Sequence, residues 1–160
     1  LEVRLKNDAG IARAHQHLGR LAERRGDHDG AAEQYEKSLE IKRRMNDERG
    51  LASLYHQYGN LRFAQDEFHD ALTLYRKALV LEEKQADFQS LARTLIQVGL
   101  TLEQLQQIQE AISTLRKAST LLAKLNSPIV EKIAGLIQDL EGRVGDDLHG
   151  VFGDLGNEDT

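Results

Sequence analysis

The sequence predicts an all-α protein built as a stack of helical hairpins, and three observations carry that prediction. Residues recur at a spacing of 40: Ala12, Ala52 and Ala92; Gly19, Gly59 and Gly99; Ala31, Ala71 and Ala111; Lys37, Lys77 and Lys117; and, conservatively, Tyr35, Tyr75 and Leu115. Self-similarity at such a period marks stacked copies of one supersecondary unit. The chain of 160 residues holds a single proline and is rich in strong helix formers. Its apolar residues follow the helical period, with no sustained β-branched alternation.

The first unit opens with a stripe of Ile11, Ala14, His15, Leu18 and Ala22, one face of an amphipathic helix. That helix is expected to end at Arg24-Arg25-Gly26-Asp27. The arginines suit the negative helix end, Gly26 the left-handed position beyond it, and Asp27 the N-cap of the next helix. A second stripe follows through His28, Ala31, Tyr35, Ser38, Leu39 and Met45. Unit two repeats this with Leu51, Leu54, Tyr55, Tyr58 and Leu61, then Phe68, Ala71, Leu72, Tyr75, Ala78 and Leu79. Unit three has Leu91, Leu95, Val98 and Leu102, then Ile108, Ala111, Ile112, Leu115, Ala118 and Leu122. The small residues at 19/59/99 and 31/71/111 let the two helices of a hairpin cross closely.

Composition narrows the class. Hydrophobic content of 40% and charged content of 29% describe an ordinary folded chain, and the net charge of −5 gives no reason to expect nucleic acid. No apolar run is long enough to span a bilayer, so no membrane role is expected. The chain lacks cysteine, which excludes disulfides and thiolate metal sites and fits a cytoplasmic location.

The repeating signature resembles that of the tetratricopeptide repeat (TPR) family. It stands as His15, Leu18-Gly19, Ala31, Tyr35 and Ser38, then Tyr55, Tyr58-Gly59, Ala71, Tyr75 and Ala78. In the third copy it is Leu95, Val98-Gly99, Ala111, Leu115 and Ala118. The early tryptophan and the end-of-repeat proline of the family are absent, and the period is 40 rather than the common 34. These departures resemble the long-helix variety found in kinesin light chains, Pins-like proteins and bacterial regulators. The resemblance implies a right-handed α-solenoid with repeats at 8–46, 47–86 and 87–126.

The ends depart from the register. Leu1-Glu2-Val3-Arg4 is similar to Leu39-Glu40-Ile41-Lys42, so residues 1–7 are expected to be the tail of a preceding repeat helix in a longer array. Ser127-Pro128 reads as a helix start. The stripe Ile129, Ile133, Leu136, Ile137, Leu140 and Val144 makes 127–144 a capping helix, a decayed fourth repeat covering the core of the third. Four glycines and an acidic close make 145–160 a flexible acidic tail in which Leu148, Val151, Phe152 and Leu155 could dock elsewhere.

Nothing in the sequence points to catalysis, a metal or a cofactor. His15, His17, His28, His56, His69 and His149 show no ligand spacing, with His15 and His28 expected as core histidines. No nucleophile motif or phosphate loop is present. Glu82-Glu83 reads as solvated helix surface. The chain is therefore expected to be no enzyme but a scaffold.

In the TPR family the first helices of the repeats line a concave groove. The resemblance places Arg13, Gln16, Arg20, Glu23 and Arg24 there, then Ser53, His56, Asn60, Phe63 and Ala64, then Arg93, Ile96, Leu100, Glu103 and Gln104. The groove would be basic in unit one, polar and aromatic in unit two and partly apolar in unit three. It would take a protein or peptide segment, acidic with apolar anchors. Asn60 falls where related proteins hold a peptide backbone, since one amide both donates and accepts. The carboxylate-clamp positions of some TPR domains correspond to Gln16, Arg20, Gln57, Arg93 and Gln97. Only Arg93 keeps a suitable character, so chaperone-tail binding is not expected. Two alternatives stand beside groove binding: a sensor fragment of a larger signalling protein, and self-assembly into a homo-oligomer through either end.

Overall fold

The computed structural model describes the backbone of residues 2–154 and the side chains of 7–145. It is an α-solenoid of seven helices among the described residues: α1 (Glu2–Arg24), α2 (His28–Arg44), α3 (Glu48–Ala64), α4 (Phe68–Lys84), α5 (Phe88–Gln104), α6 (Ile108–Lys124) and α7 (Val130–Asp154). Hairpins α1/α2, α3/α4 and α5/α6 stack in chain order through α2 on α3 and α4 on α5, and α7 closes the stack on α6.

The turns are as regular as the helices. Residues 26, 46, 66, 86, 106 and 126 all have positive φ, one at every twentieth position. Each sits at the C′ position of a Schellman motif. Gly26 N–H donates to Glu23 O and Asp27 N–H to Ala22 O, and the same pair of bonds recurs at Asn46/Asp47 and Ala86/Asp87. Asp27, Asp47 and Asp87 then cap the following helix by accepting from the backbone N–H of Gly30, Gly50 and Ser90 at 2.9, 2.9 and 3.1 Å.

The small-residue columns have the predicted cause. A Cβ on Gly19 would lie 2.5 Å from Tyr35 Cε1, one on Gly59 2.6 Å from Tyr75 Cε1, and one on Gly99 2.6 Å from Leu115 Cγ. Ala31, Ala71 and Ala111 are fully buried opposite. The core is nearly continuous, one cluster gathering Tyr35, Leu54 and Leu61 and the next Tyr75, Leu102, Leu115 and Leu140.

Both ends differ from the sequence reading. Residues 2–7 are not a separate helix tail but the first turns of α1. In the 40-residue register Lys6 occupies the place of Asn46, the left-handed residue of the following turn, yet the helix runs unbroken through it. At the other end α7 begins two residues beyond Pro128 and runs to Asp154, so 145–154 are helical rather than a flexible tail. A glycine in a helix costs about 1 kcal/mol relative to alanine, a penalty that weakens a helix without forbidding it. The docking role considered for Leu148, Val151, Phe152 and Leu155 lies outside the residues whose side chains are described. Ile133, Ile137 and Leu140 are buried, whereas Ile129, read as part of the same stripe, is exposed.

Candidate functional site

Side-chain contacts between successive first helices define one face of the stack. Gln16 on α1 donates from Nε2 to Gln57 Oε1 on α3 at 2.6 Å, and His56 on α3 meets Thr94 on α5 at 2.8 Å. Ile96 and Leu100 on α5 line a cavity of about 650 Å³ with Ile129, Ile133 and Leu136 at the start of α7. α1, α3, α5 and α7 thus form one continuous surface.

Arg13, Arg20 and Arg24 are exposed on α1 and Arg93 is exposed on α5, its guanidinium 3.4 Å from Ser90 Oγ. Gln16 is half-buried and tied to Gln57. Ile96 and Leu100 come together in the apolar cavity, whose rim carries Glu131, Lys132 and Asp139. The α7 wall was missed in the sequence, where this helix read only as a cap. A second depression of about 480 Å³, lined by Leu79, Leu91, Leu95 and Leu121, lies between α4, α5 and α6.

Three residues expected at the groove surface are placed differently. His56 is buried, with its ring tilted against Tyr75 at 5.7 Å between centroids. Burial, helped by the charge of Arg93, pushes its pKa down to about 4, so the imidazole is neutral near pH 7. Asn60 is half-buried and its Oδ1 accepts from the Tyr75 hydroxyl at 2.7 Å, so of its two functions the amide N–H₂ is left for a ligand. Phe63 packs edge-on against Phe68 at 5.3 Å and against the core. It supports the face more than it lines it.

Glu82 overturns its reading as solvated surface. Its carboxylate is buried and accepts from Thr94 Oγ1 at 3.0 Å, with Oε2 left unpartnered. Burial raises its pKa, and the nearby Asp87 acts in the same direction against the Thr94 bond and Arg93. Of the histidines placed in the core, His15 is half-buried and bonded to Gln34 at 2.8 Å, and His28 is half-buried with Nδ1 unpartnered. Among the described residues no three His, Asp or Glu side chains converge as a metal site would require, and no helix is long and apolar enough to cross a membrane.

Comparison with known proteins matches two models described as tetratricopeptide repeat, one over residues 12–44 and one over 50–124. Sequence comparison with curated proteins returns no match. Among solved structures the chain is similar to the N-terminal domain of stress-induced protein-1 from C. elegans, with a TM-score of 0.70 and 17% identity over 84% of this chain and 97% of that one. It is also similar to aspartyl phosphate phosphatase F from Bacillus subtilis, with a TM-score of 0.75 and 16% identity over 92% of this chain and 41% of that one. The yeast Sti1 TPR2AB domain, solved as a pHSP90 complex, aligns with a TM-score of 0.72 and 13% identity over 90% of this chain and 51% of that one. These identities speak for the fold. The repeat columns, the stacked hairpins and the two matched models together show that the chain belongs to the tetratricopeptide repeat family.

Proposed function

We propose that this scaffold binds a peptide or protein segment along the face formed by α1, α3, α5 and α7. Acidic residues of the segment pair with Arg13, Arg20, Arg24 and Arg93, and an apolar side chain seats in the cavity of Ile96, Leu100, Ile133 and Leu136. The cavity carries the proposal, because its volume of about 650 Å³ suits a bulky apolar anchor and its Leu100 shares a 40-residue column with Arg20. Arginine forks match carboxylates in bidentate geometry. Support from outside the chain comes from the yeast Sti1 domain of the same fold, solved with pHSP90.

The test is selection of peptides from a displayed random library, followed by binding to three proteins: wild type, Arg13→Glu/Arg20→Glu/Arg93→Glu, and Leu100→Lys. The triple variant should lose acidic peptides at least tenfold at low salt, and Leu100→Lys should lose the apolar anchor preference. Unchanged binding in both would show that the wrong face has been assigned.

One observation favours a second reading, self-association. Ile11, Leu18 and Leu21 form an exposed apolar stripe on the outer side of α1. Sedimentation decides it: a monomer at millimolar concentration retires the reading, and a dimer abolished by Leu18→Glu supports it.

A further inference from the structure

The second and third repeats meet over three buried polar side chains that the repeat pattern does not require. His56 on α3, Thr94 on α5 and Glu82 on α4 are all buried. Nδ1 of His56 lies 2.8 Å from Thr94 Oγ1, which donates to Glu82 Oε1 at 3.0 Å. The same columns elsewhere carry other chemistry: Gln16 and Ile96 match His56, Ala14 and Leu54 match Thr94, and Lys42 and Leu122 match Glu82. A chain of this kind costs burial of polar groups, Glu82 Oε2 being left without a partner, and the two bonds that are made fix the proton positions between them.

The proton count follows from the threonine. Its hydroxyl has one hydrogen. When that hydrogen points at the Glu82 carboxylate, the oxygen accepts, and the partner nitrogen must be protonated Nδ1–H. The neutral ring then has a bare Nε2. This nitrogen makes no hydrogen bond among the described residues, and it is not among the atoms sealed from solvent. His56 lies on the first-helix face beside Gln57.

We propose that Thr94 and Glu82 are positioning residues that hold His56 with Nε2 as a hydrogen-bond acceptor toward the groove. There it selects a donor on the bound segment, such as a backbone N–H or an amide or ammonium side chain. One added proton reverses this polarity. It arrives at Nε2, the Nδ1 proton passes to Thr94 Oγ1, and the Thr94 proton passes to Glu82 Oε1. The carboxylate becomes a neutral acid, the imidazole stays neutral with Nε2–H, and the trio goes from one negative charge to none.

The surroundings favour this route over charging the ring. Burial disfavours both the imidazolium and the carboxylate, so the proton settles on the carboxylate. Arg93 on α5 faces both groups, opposing charge on His56 and favouring the carboxylate form of Glu82. Asp87, the N-cap of α5, pushes the Glu82 carboxyl toward protonation. Tyr75 on α4 covers the His56 ring, with its hydroxyl committed to Asn60.

This inference rests on the groove reading for its ligand, but its first test does not. Imidazole ¹⁵N spectra of the free protein at pH 7, with His56→Gln to assign the signals, should show His56 as the Nδ1–H tautomer. Glu82→Leu, which removes the acceptor and frees the Thr94 hydroxyl to donate to Nδ1, should convert it to the Nε2–H tautomer at the same pH. Thr94→Val should do the same by removing the acceptor for Nδ1–H, and if either variant fails to fold, the other decides. A wild-type Nε2–H tautomer, or one unmoved by the folded variant, overturns the relay whatever the groove binds. In the second arm a library-selected peptide is added to saturation. A shift of the Nε2 resonance supports the acceptor role, and an unmoved one overturns it.

Discussion

The first and second repeats present the same apolar columns with different fates. Ile11, Leu18 and Leu21 on α1 are 39%, 50% and 41% exposed, whereas Leu51, Tyr58 and Leu61 at the matched positions of α3 are 8%, 5% and 0% exposed. The pattern within each helix is alike. What differs is that α2 covers α3, while no described element covers the same side of α1. In a solenoid a side chain's energetic weight is set by the neighbouring repeat as much as by its own helix.

The largest test of this contrast is a pair of truncations. Leu61→Ala should cost about 2–5 kcal/mol through lost burial and a residual cavity. Leu21→Ala should cost under about 1 kcal/mol, since little apolar surface is removed from water there. Urea denaturation measures both, and equal losses would break the comparison by showing that the α1 stripe is covered in solution.

A second contrast lies in pH dependence. The first repeat has Gln16 where the second has His56. The folded His56 titrates at about 4 and the unfolded one near 6.5, so between these values the unfolded chain binds more protons. Stability therefore falls as pH drops through that window, by up to about 1.4 kcal/mol per pH unit for a single group. Glu82 works oppositely, because its raised folded pKa makes the native state take up a proton first on acidification. Glu82→Gln should make the loss steeper, and His56→Gln should flatten it. Melting temperatures from pH 7 to 4 check the order, and a shallower slope in Glu82→Gln would contradict it.

The smallest effect concerns the turns. The first repeat uses Gly26 at φ 76° between its helices, whereas Ala86 adopts φ 53° at the end of the second. Ala86→Gly should stabilise by about 1 kcal/mol by removing left-handed strain, and Gly26→Ala should destabilise by a similar amount. Thermal unfolding of the two variants distinguishes the sites.

Much of the architecture was legible because the repeat columns are local and redundant. Gly19, Gly59 and Gly99 announce the close helix crossing three times over, and Asp27 marks the start of α2. The candidate site was less legible. His56 stands in a column shared with Gln16 and Ile96, which reads as surface, and its partners are Thr94, 38 residues away, and the Tyr75 ring. Glu82 beside Glu83 looks solvated until the packing of α5 brings Thr94 over it. The apolar end of the groove needed α7, whose stripe predicts packing on one side but says nothing of the wall it makes on the other.

The left-handed residues recur at every twentieth position, and this sets a rule for changes of length. One residue gained inside a helix turns everything after it by about 100° and carries the core stripe off its partner. A gain of 20 keeps the turns but exchanges first helices for second ones, so the groove would lose a wall. Only a gain or loss of 40 leaves every helix in its role. The ruler written in those six turns therefore specifies the step by which an array of this kind can grow or shrink and still present one uninterrupted face.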